Sequence, residues 1–236
     1  MKRFPLFFLI VMTGCSLGPK KAQEPKGPPP QNLKTAYVSG GCFWCTESDF
    51  EKLEGVYRVI SGFSGGEEQD PSYKEVASGG TGHRESVRIE YDGDVLDYHT
   101  IVSYHLRHID PTDDQGQFVD RGFQYSPAVY YQSEEERQIA EDVIMEIEKA
   151  RIFEKPLTVA IEPFKTFYPA EDYHQDYYKK SPVKYTYYRN GSGRDQFLEE
   201  TWRNVQEYTP QEMQSSVSSP QEYTKPSDDQ IGRAHV

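Results

Sequence analysis

From Thr35 onward the chain alternates short apolar runs with polar punctuation. "TAYVS" (35–39) reads as a strand, and Gly40 and Gly41 break it. Phe43, Trp44, Phe50 and Leu53 then fall near helical spacing up to Gly55, which predicts a helix over 43–53. "VYRVISGF" (56–63) is a second strand, followed by a Gly-rich loop through residue 83. "ESVRIEY" (85–91) alternates strictly and is a third strand. A helix is predicted over 97–109, and a strand in "PAVYYQ" (127–132). Ser133 with Glu136 reads as a capping box that opens a helix with an Ile139, Val143 and Ile147 stripe. "LTVAIEPF" (157–164) is another strand, and the Tyr-rich remainder carries short helices around 172–179 and 195–205. Strands and helices mix without strict βαβ alternation, which indicates an α+β fold.

Both ends break this pattern. Lys2 and Arg3 precede an apolar run, Phe4 to Met12, that is too short to span a bilayer as a helix. Residues 1–14 are therefore read as an export signal. Met12-Thr13-Gly14-Cys15 resembles a bacterial lipobox, so the expected cut precedes Cys15 and Cys15 carries lipid. Pro5 interrupts the apolar run, and an ordinary signal peptide with an unrelated cysteine is the other reading. Residues 15–34 are rich in Pro, Gly and Lys and cannot pack a core, so they form a tether. The expected location is the periplasmic or cell-surface side of a bacterial membrane, lipid-anchored. The globular domain is placed at 35–203, and 204–236 is a polar tail. Its last six residues, Ile231 to Val236, coincide with a translated sequencing-adapter string and are read as foreign to the native chain. A net charge of −12 argues against nucleic acid as a partner, since phosphate binding needs clustered Lys and Arg.

The chain has three cysteines. With Cys15 lipidated, Cys42 and Cys45 remain, in the string "GGCFWC". One cysteine pair, with six histidines at no ligand-like spacing to it, does not make a zinc site, and no metal is expected. Haem attachment needs a His where Thr46 stands. A structural disulfide over so short a loop stabilises little. Redox chemistry is left. Cys42 follows a strand and a Gly-Gly break and opens a helix, where the helix end is expected to lower a thiol's pKa. Cys45 lies one turn on and can resolve whatever forms on Cys42. Phe43 and Trp44 between them suggest an apolar pocket beside the nucleophile.

Glu85, Val87, Ile89 and Tyr91 share one strand face, so Glu85 opens the inward side; a carboxyl there keeps its proton and can serve as general acid. A strand-end Glu that bends into water is the competing reading. Tyr73 and Tyr125 lie in loops rich in Gly, Pro and Asp and offer phenols, or simply pack. A nucleophilic thiol, an apolar cup and a neutral acid suit attack on a centre whose oxygen is protonated and leaves. A sulfoxide bearing a methyl group fits.

The blocks "GGCFWCTESDFEKLEGVYRVISGFSGG", "PSYKEVASGGTGHRESVRIEYD", "HIDPT", "DRGFQYSPAVYY" and "YPAEDYHQDYYKKSP" resemble peptide methionine sulfoxide reductase A, in order, over roughly 34–203. The resemblance implies a two-layer α+β sandwich related to the ferredoxin-like type, a mixed sheet with flanking helices and long loops. It implies that Cys42 attacks the sulfoxide and becomes a sulfenic acid. Phe43 and Trp44 would hold the substrate methyl, Glu85 would protonate the oxygen, Tyr73 and Tyr125 would hydrogen-bond it, and Asp120 would organise the site. The substrate would be the S epimer of methionine sulfoxide, free or in proteins, with no bound cofactor. Many relatives have Gly at the Cys45 position and resolve with a cysteine near the C-terminus. No cysteine follows Cys45 here, so resolution falls to Cys45, and a thioredoxin-like donor would reduce the Cys42–Cys45 disulfide. His83 and His174 are read as structural, and the enzyme is expected to act as a monomer.

Two other classes stay open from the residues alone. A thioredoxin-type disulfide oxidoreductase would share the cysteine pair, although Phe-Trp is unusual between such thiols. A non-catalytic surface lipoprotein would use the Tyr-rich segment for binding.

Overall fold

The computed structural model describes residues 27–203 and residue 205. The expected export signal, Cys15, most of the tether and nearly all of the polar tail lie outside the described residues. In chain order the strands are β1 (Leu33–Ser39), β2 (Val56–Ser64), β3 (Arg84–Asp92), β4 (Gly116–Gln117), β5 (Asp120–Arg121), β6 (Ala128–Tyr131), β7 (Ala160–Pro163) and β8 (Phe167–Pro169). The helices are α1 (Phe43–Phe50), α2 (Tyr73–Ala77), α3 (Tyr98–Leu106), α4 (Glu134–Lys149), α5 (Tyr177–Lys180), α6 (Pro182–Ser192) and α7 (Arg194–Trp202).

Six strands form one sheet in the order β7-β6-β1-β3-β2-β8, while β4 and β5 pair separately. The β6–β7 pair is parallel and the other pairs of the main sheet are antiparallel. The fold is thus α+β with a mixed sheet and flanking helices. Helix α1 packs on β2 and β3, and α3 packs on α4. Val38, Phe50, Val59, Phe63, Val87, Ile89, Ile101, Val129 and Val143 meet in one apolar core. Each such side chain gains roughly 1.5–3 kcal/mol by leaving water.

Several expected boundaries move. Strand β1 starts at Leu33, paired with Asp92, so Leu33 and Lys34 belong to the sheet and not to the tether. The first helix stops at Phe50, because Lys52 and Leu53 donate to carbonyls only three residues back. The Gly-rich loop contains α2, opened by a reciprocal capping box between Ser72 and Glu75. At α4 only half of the expected box forms. Ser133 Oγ accepts from Glu136 N at 3.2 Å, but Glu136 Oε2 accepts from the Gln132 N–H, one residue earlier than a box requires. Helix α6 lies in the segment read as merely Tyr-rich, with Pro182 in its first turn and Gly193 as its left-handed C-cap.

The register decides where the site sits. Ser39 pairs with Ser86 and with Ala128, and Phe63 pairs with Glu85. The end of β1, the start of β3, the start of β6 and the end of β2 therefore share one rim of the sheet. From that rim the chain runs through Gly40 and Gly41 into α1.

Candidate active site

Gly41 has φ +81°, and a Cβ on it would lie 2.7 Å from both Arg194 Nη2 and Gln117 Cβ. The break between β1 and α1 thus needs glycine for its backbone and for its space. It delivers Cys42 as the N-cap of α1. Cys42 is 6% exposed and Cys45 is fully buried; both are free thiols, and the two share a hydrogen bond.

The helix start does not lower the Cys42 thiol as the sequence led us to expect. Burial pushes it well up, and the bond to Cys45 and the Glu85 carboxyl push the same way. A partial charge at a helix end is outweighed when the thiolate has lost its water. Cys45 is pushed down, first by the bond shared with Cys42, with Arg194 and Arg189 helping against burial.

Glu85 lies on the inward face of β3 with Val87, Ile89 and Tyr91, and is 2% exposed. Its Oε2 accepts the Phe43 N–H at 3.0 Å. Burial lifts its pKa to about 8, so the carboxyl holds its proton at pH 7. Tyr73 and Tyr125 feel both Glu85 and Cys42, and burial raises both phenols. The Tyr125 carbonyl accepts from Gly41 N at 3.0 Å, which ties its turn to the Cys42 loop. Asp120 is raised by burial and accepts a short hydrogen bond from Tyr188. Phe43 is buried against Phe63 (5.9 Å between ring centroids) and Tyr73 (6.1 Å). Trp44 is partly buried and stacks on Tyr177 at 3.8 Å. The expected site residues on both cysteines' side of the fold thus come together in one place.

Four further residues belong to this neighbourhood and were not picked out as site residues from the sequence. His174 Nδ1 accepts the Trp44 Nε1–H at 3.0 Å, and burial lowers its pKa to about 4, so the ring is neutral. Tyr177 and Tyr188 pack on Trp44, face to face and edge-on. Arg194 is buried beside Gly40 and Gly41. The "YHQDYYKKSP" block was the only signal for the first two; nothing local marks Tyr188 or Arg194. His83 is tied instead into the loop before β3, through Gly66 N and the Glu68 carbonyl.

A buried dithiol, a neutral carboxyl and an aromatic wall on an α+β scaffold define a thiol-dependent oxidoreductase site. The family described as peptide methionine sulfoxide reductase matches residues 34–206. The chain is 46% identical to "Peptide methionine sulfoxide reductase MsrA/MsrB" of Vibrio cholerae over 96% of this chain, and spans 62% of that relative's length. It is 46% identical to "Peptide methionine sulfoxide reductase MsrA 2" of Staphylococcus aureus, over 72% of this chain and 96% of that one. The solved structure of methionine sulfoxide reductase A of Corynebacterium diphtheriae superposes with a TM-score of 0.58 at 29% identity, covering 70% of this chain and 88% of that one. This chain belongs to the peptide methionine sulfoxide reductase family.

Proposed function

We propose that this protein reduces methionine S-sulfoxide, free or within proteins, to methionine. The observation that carries the reading is the Cys42–Cys45 thiol pair beside Glu85, a buried carboxyl that keeps its proton at pH 7.

In the first step the Cys42 sulfur attacks the sulfoxide while Glu85 protonates the oxygen. The oxygen passes to Cys42, and the Cys42 thiol proton returns to Glu85. The thiol and the sulfoxide become a sulfenic acid on Cys42 and the thioether of methionine, so cysteine sulfur loses two electrons and the sulfoxide gains them. Tyr73 and Tyr125 hold the oxygen through phenols that remain protonated, since burial raises both. Phe43 and Trp44 wall the methyl group, and Asp120, bonded by Tyr188, orders the far side of the site.

In the second step Cys45 attacks the Cys42 sulfur. An S–S bond forms, the S–O bond breaks, and the oxygen leaves as water with a proton from Glu85, which the Cys45 proton restores. A dithiol protein of the thioredoxin class then exchanges with the disulfide and restores both thiols. The cycle uses no resident metal or cofactor. The Cys-Phe-Trp-Cys string thus holds attack, pocket and resolution within one helical turn. On the same footing, the chain is exported and anchored through lipid on Cys15, residues 15–32 hold the catalytic domain off the membrane, and the sheet is a variant of the ferredoxin-like sandwich. Outside the cytoplasm the reductant must itself be exported or membrane-linked.

The test supplies the reduced protein with separated S and R epimers, first with dithiothreitol and then with thioredoxin. Consumption of the S epimer alone is expected; no consumption of either epimer with dithiothreitol overturns the proposal. For the anchor, Cys15→Ala is expected to move the protein from the membrane fraction to the soluble one.

A further inference from the structure

Arg194 opens α7 and is 1% exposed, so its charge has left water. Among the described residues its guanidinium bonds only neutral groups. Nη1 donates to the His108 carbonyl at 2.5 Å and Nη2 to the Gly40 carbonyl at 3.2 Å, and the guanidinium lies over the Phe118 ring at 4.7 Å. Its neighbour Arg189 is different: it bonds Asp49 at 2.7 Å and Asp195 at 2.7 Å, so its charge is already answered by two carboxylates. A buried cation without an anion is costly, and folded proteins keep one where an anion will form.

The anion can be located. Arg194 Nη2 would stand 2.7 Å from a Cβ on Gly41, next to the dithiol. The charged and titratable groups around Cys45 are Cys42 and Asp49 from α1 and its cap, Glu85 from β3, Tyr185, Tyr188 and Arg189 from α6, and Arg194 from α7. Glu85 holds its proton, and Asp49, which also feels Arg194 and His108, bonds Arg189. Asp120 of β5 also feels Arg194, but its hydrogen bond comes from Tyr188. Arg194 is therefore the cation of this set that lacks a bonded carboxylate. Its field reaches Cys45 and favours the thiolate there.

We infer that Arg194 is the counter-charge for the Cys45 thiolate, a positioning residue for disulfide closure contributed by a C-terminal helix. The inference rests on the proposed resolving role of Cys45. In that step the Cys45 thiolate attacks the sulfur of the Cys42 sulfenic acid, the S–S bond forms, and hydroxide leaves and is protonated to water by Glu85. The proton that Cys45 gave up restores Glu85. Arg194 stabilises the charge on Cys45 before attack and takes no part in the bonds that form and break.

The experiment mixes the reduced full chain with one equivalent of methionine S-sulfoxide across a pH series. It reads methionine release and thiol loss separately. Arg194→Met keeps the bulk and removes the charge. Its midpoint for closure is expected to rise by about one pH unit, and the ratio of closure rate to methionine-release rate to fall about tenfold at pH 7. Arg194→Lys is expected to restore most of that ratio, which a purely structural role would not do. An unmoved midpoint in Arg194→Met overturns the inference. Should that variant fail to fold, Cys42→Ser with native Arg194 reports the Cys45 thiol directly through its alkylation rate. A midpoint below about 8.5 supports the inference and one at or above it overturns it. Cys45→Ser separates the two levels: if it still recycles with thioredoxin, the resolving role falls and the inference with it, whereas an unmoved Arg194→Met midpoint defeats the inference alone.

Discussion

The main-chain N–H of Phe43 donates to Glu85 Oε2 at 3.0 Å, which holds the β3 carboxyl against the first turn of the helix that begins at Cys42. That bond favours the ionised carboxyl, yet burial dominates and sets the group at about 8. A general acid works while it holds its proton, so activity is present below that value and lost as pH rises through it. Methionine release in a single turnover is expected to fall roughly tenfold per unit above about pH 8. Glu85→Gln keeps an acceptor for Phe43 and removes the proton. It is expected to lose about 10²–10⁴-fold in rate, with no such limb left in its pH profile. A limb that persists in the Gln variant would assign the acid elsewhere.

Cys42 and Cys45 share a hydrogen bond across one helical turn, and both thiols are buried. In the proposed cycle only the first needs to meet the substrate. Cys45→Ser is expected to release one methionine per chain and then stop when thioredoxin is the reductant. Cys42→Ser is expected to release none. Counting methionine against enzyme after rapid mixing checks both, and full steady-state turnover of Cys45→Ser with thioredoxin would remove Cys45 from the cycle.

Trp44 is fixed by two contacts: its Nε1–H on His174 Nδ1 at 3.0 Å and the Tyr177 ring stacked at 3.8 Å and 11°. His174 is a dependable acceptor because burial keeps it neutral above about pH 4. Trp44→Phe retains an apolar face and loses the hydrogen bond. If Trp44 walls the substrate methyl, KM for the S-sulfoxide is expected to rise about threefold to tenfold with kcat changed less than about threefold. A fall in kcat at constant KM, measured with dithiothreitol as reductant, would give Trp44 a different role.

The strands that frame the site were legible because period-two patterning survives translation into structure. Glu85 falls on the buried face with Val87, Ile89 and Tyr91, as the alternation indicated. Cys42 stands at a helix start, as the Gly-Gly break indicated. Its ionisation was not legible. A helix end is visible in sequence, but burial overrides it, and the Glu85 carboxyl of β3 that adds to the rise is distant in the chain. The same reason hides Tyr188 and Arg194. Each meets the site through partners distant in the chain, Tyr188 through Trp44 and Asp120 and Arg194 through Gly40, and neither residue carries a local signal of that contact. Helix α2 differs: the glycines around it read as loop, although the capping box between Ser72 and Glu75 is local and readable.

Glu47 gives a prediction about stability. It lies on α1, is fully buried, and accepts from Asp176 N at 3.0 Å and from Ser61 Oγ at 3.2 Å. Burial raises its pKa to about 8, with Asp176 and Glu51 adding to the rise and the two hydrogen bonds opposing it. In the unfolded chain a glutamate titrates near ~4.3. The folded value is the higher one, so the folded state keeps a proton that the unfolded state releases between those two values. The stabilisation is fully present below ~4.3 and is lost as pH rises toward about 8. Glu85 is raised to about 8 as well and loses stability over the same window. Glu47→Gln cannot titrate, and its carboxamide oxygen keeps one acceptor. It is expected to match the wild type at pH 5 to within about 1 kcal/mol and to lose roughly half as much stability between pH 5 and pH 8.5. Urea unfolding across that range measures both slopes; equal slopes would mean that the buried carboxyl already ionises in the folded protein at neutral pH.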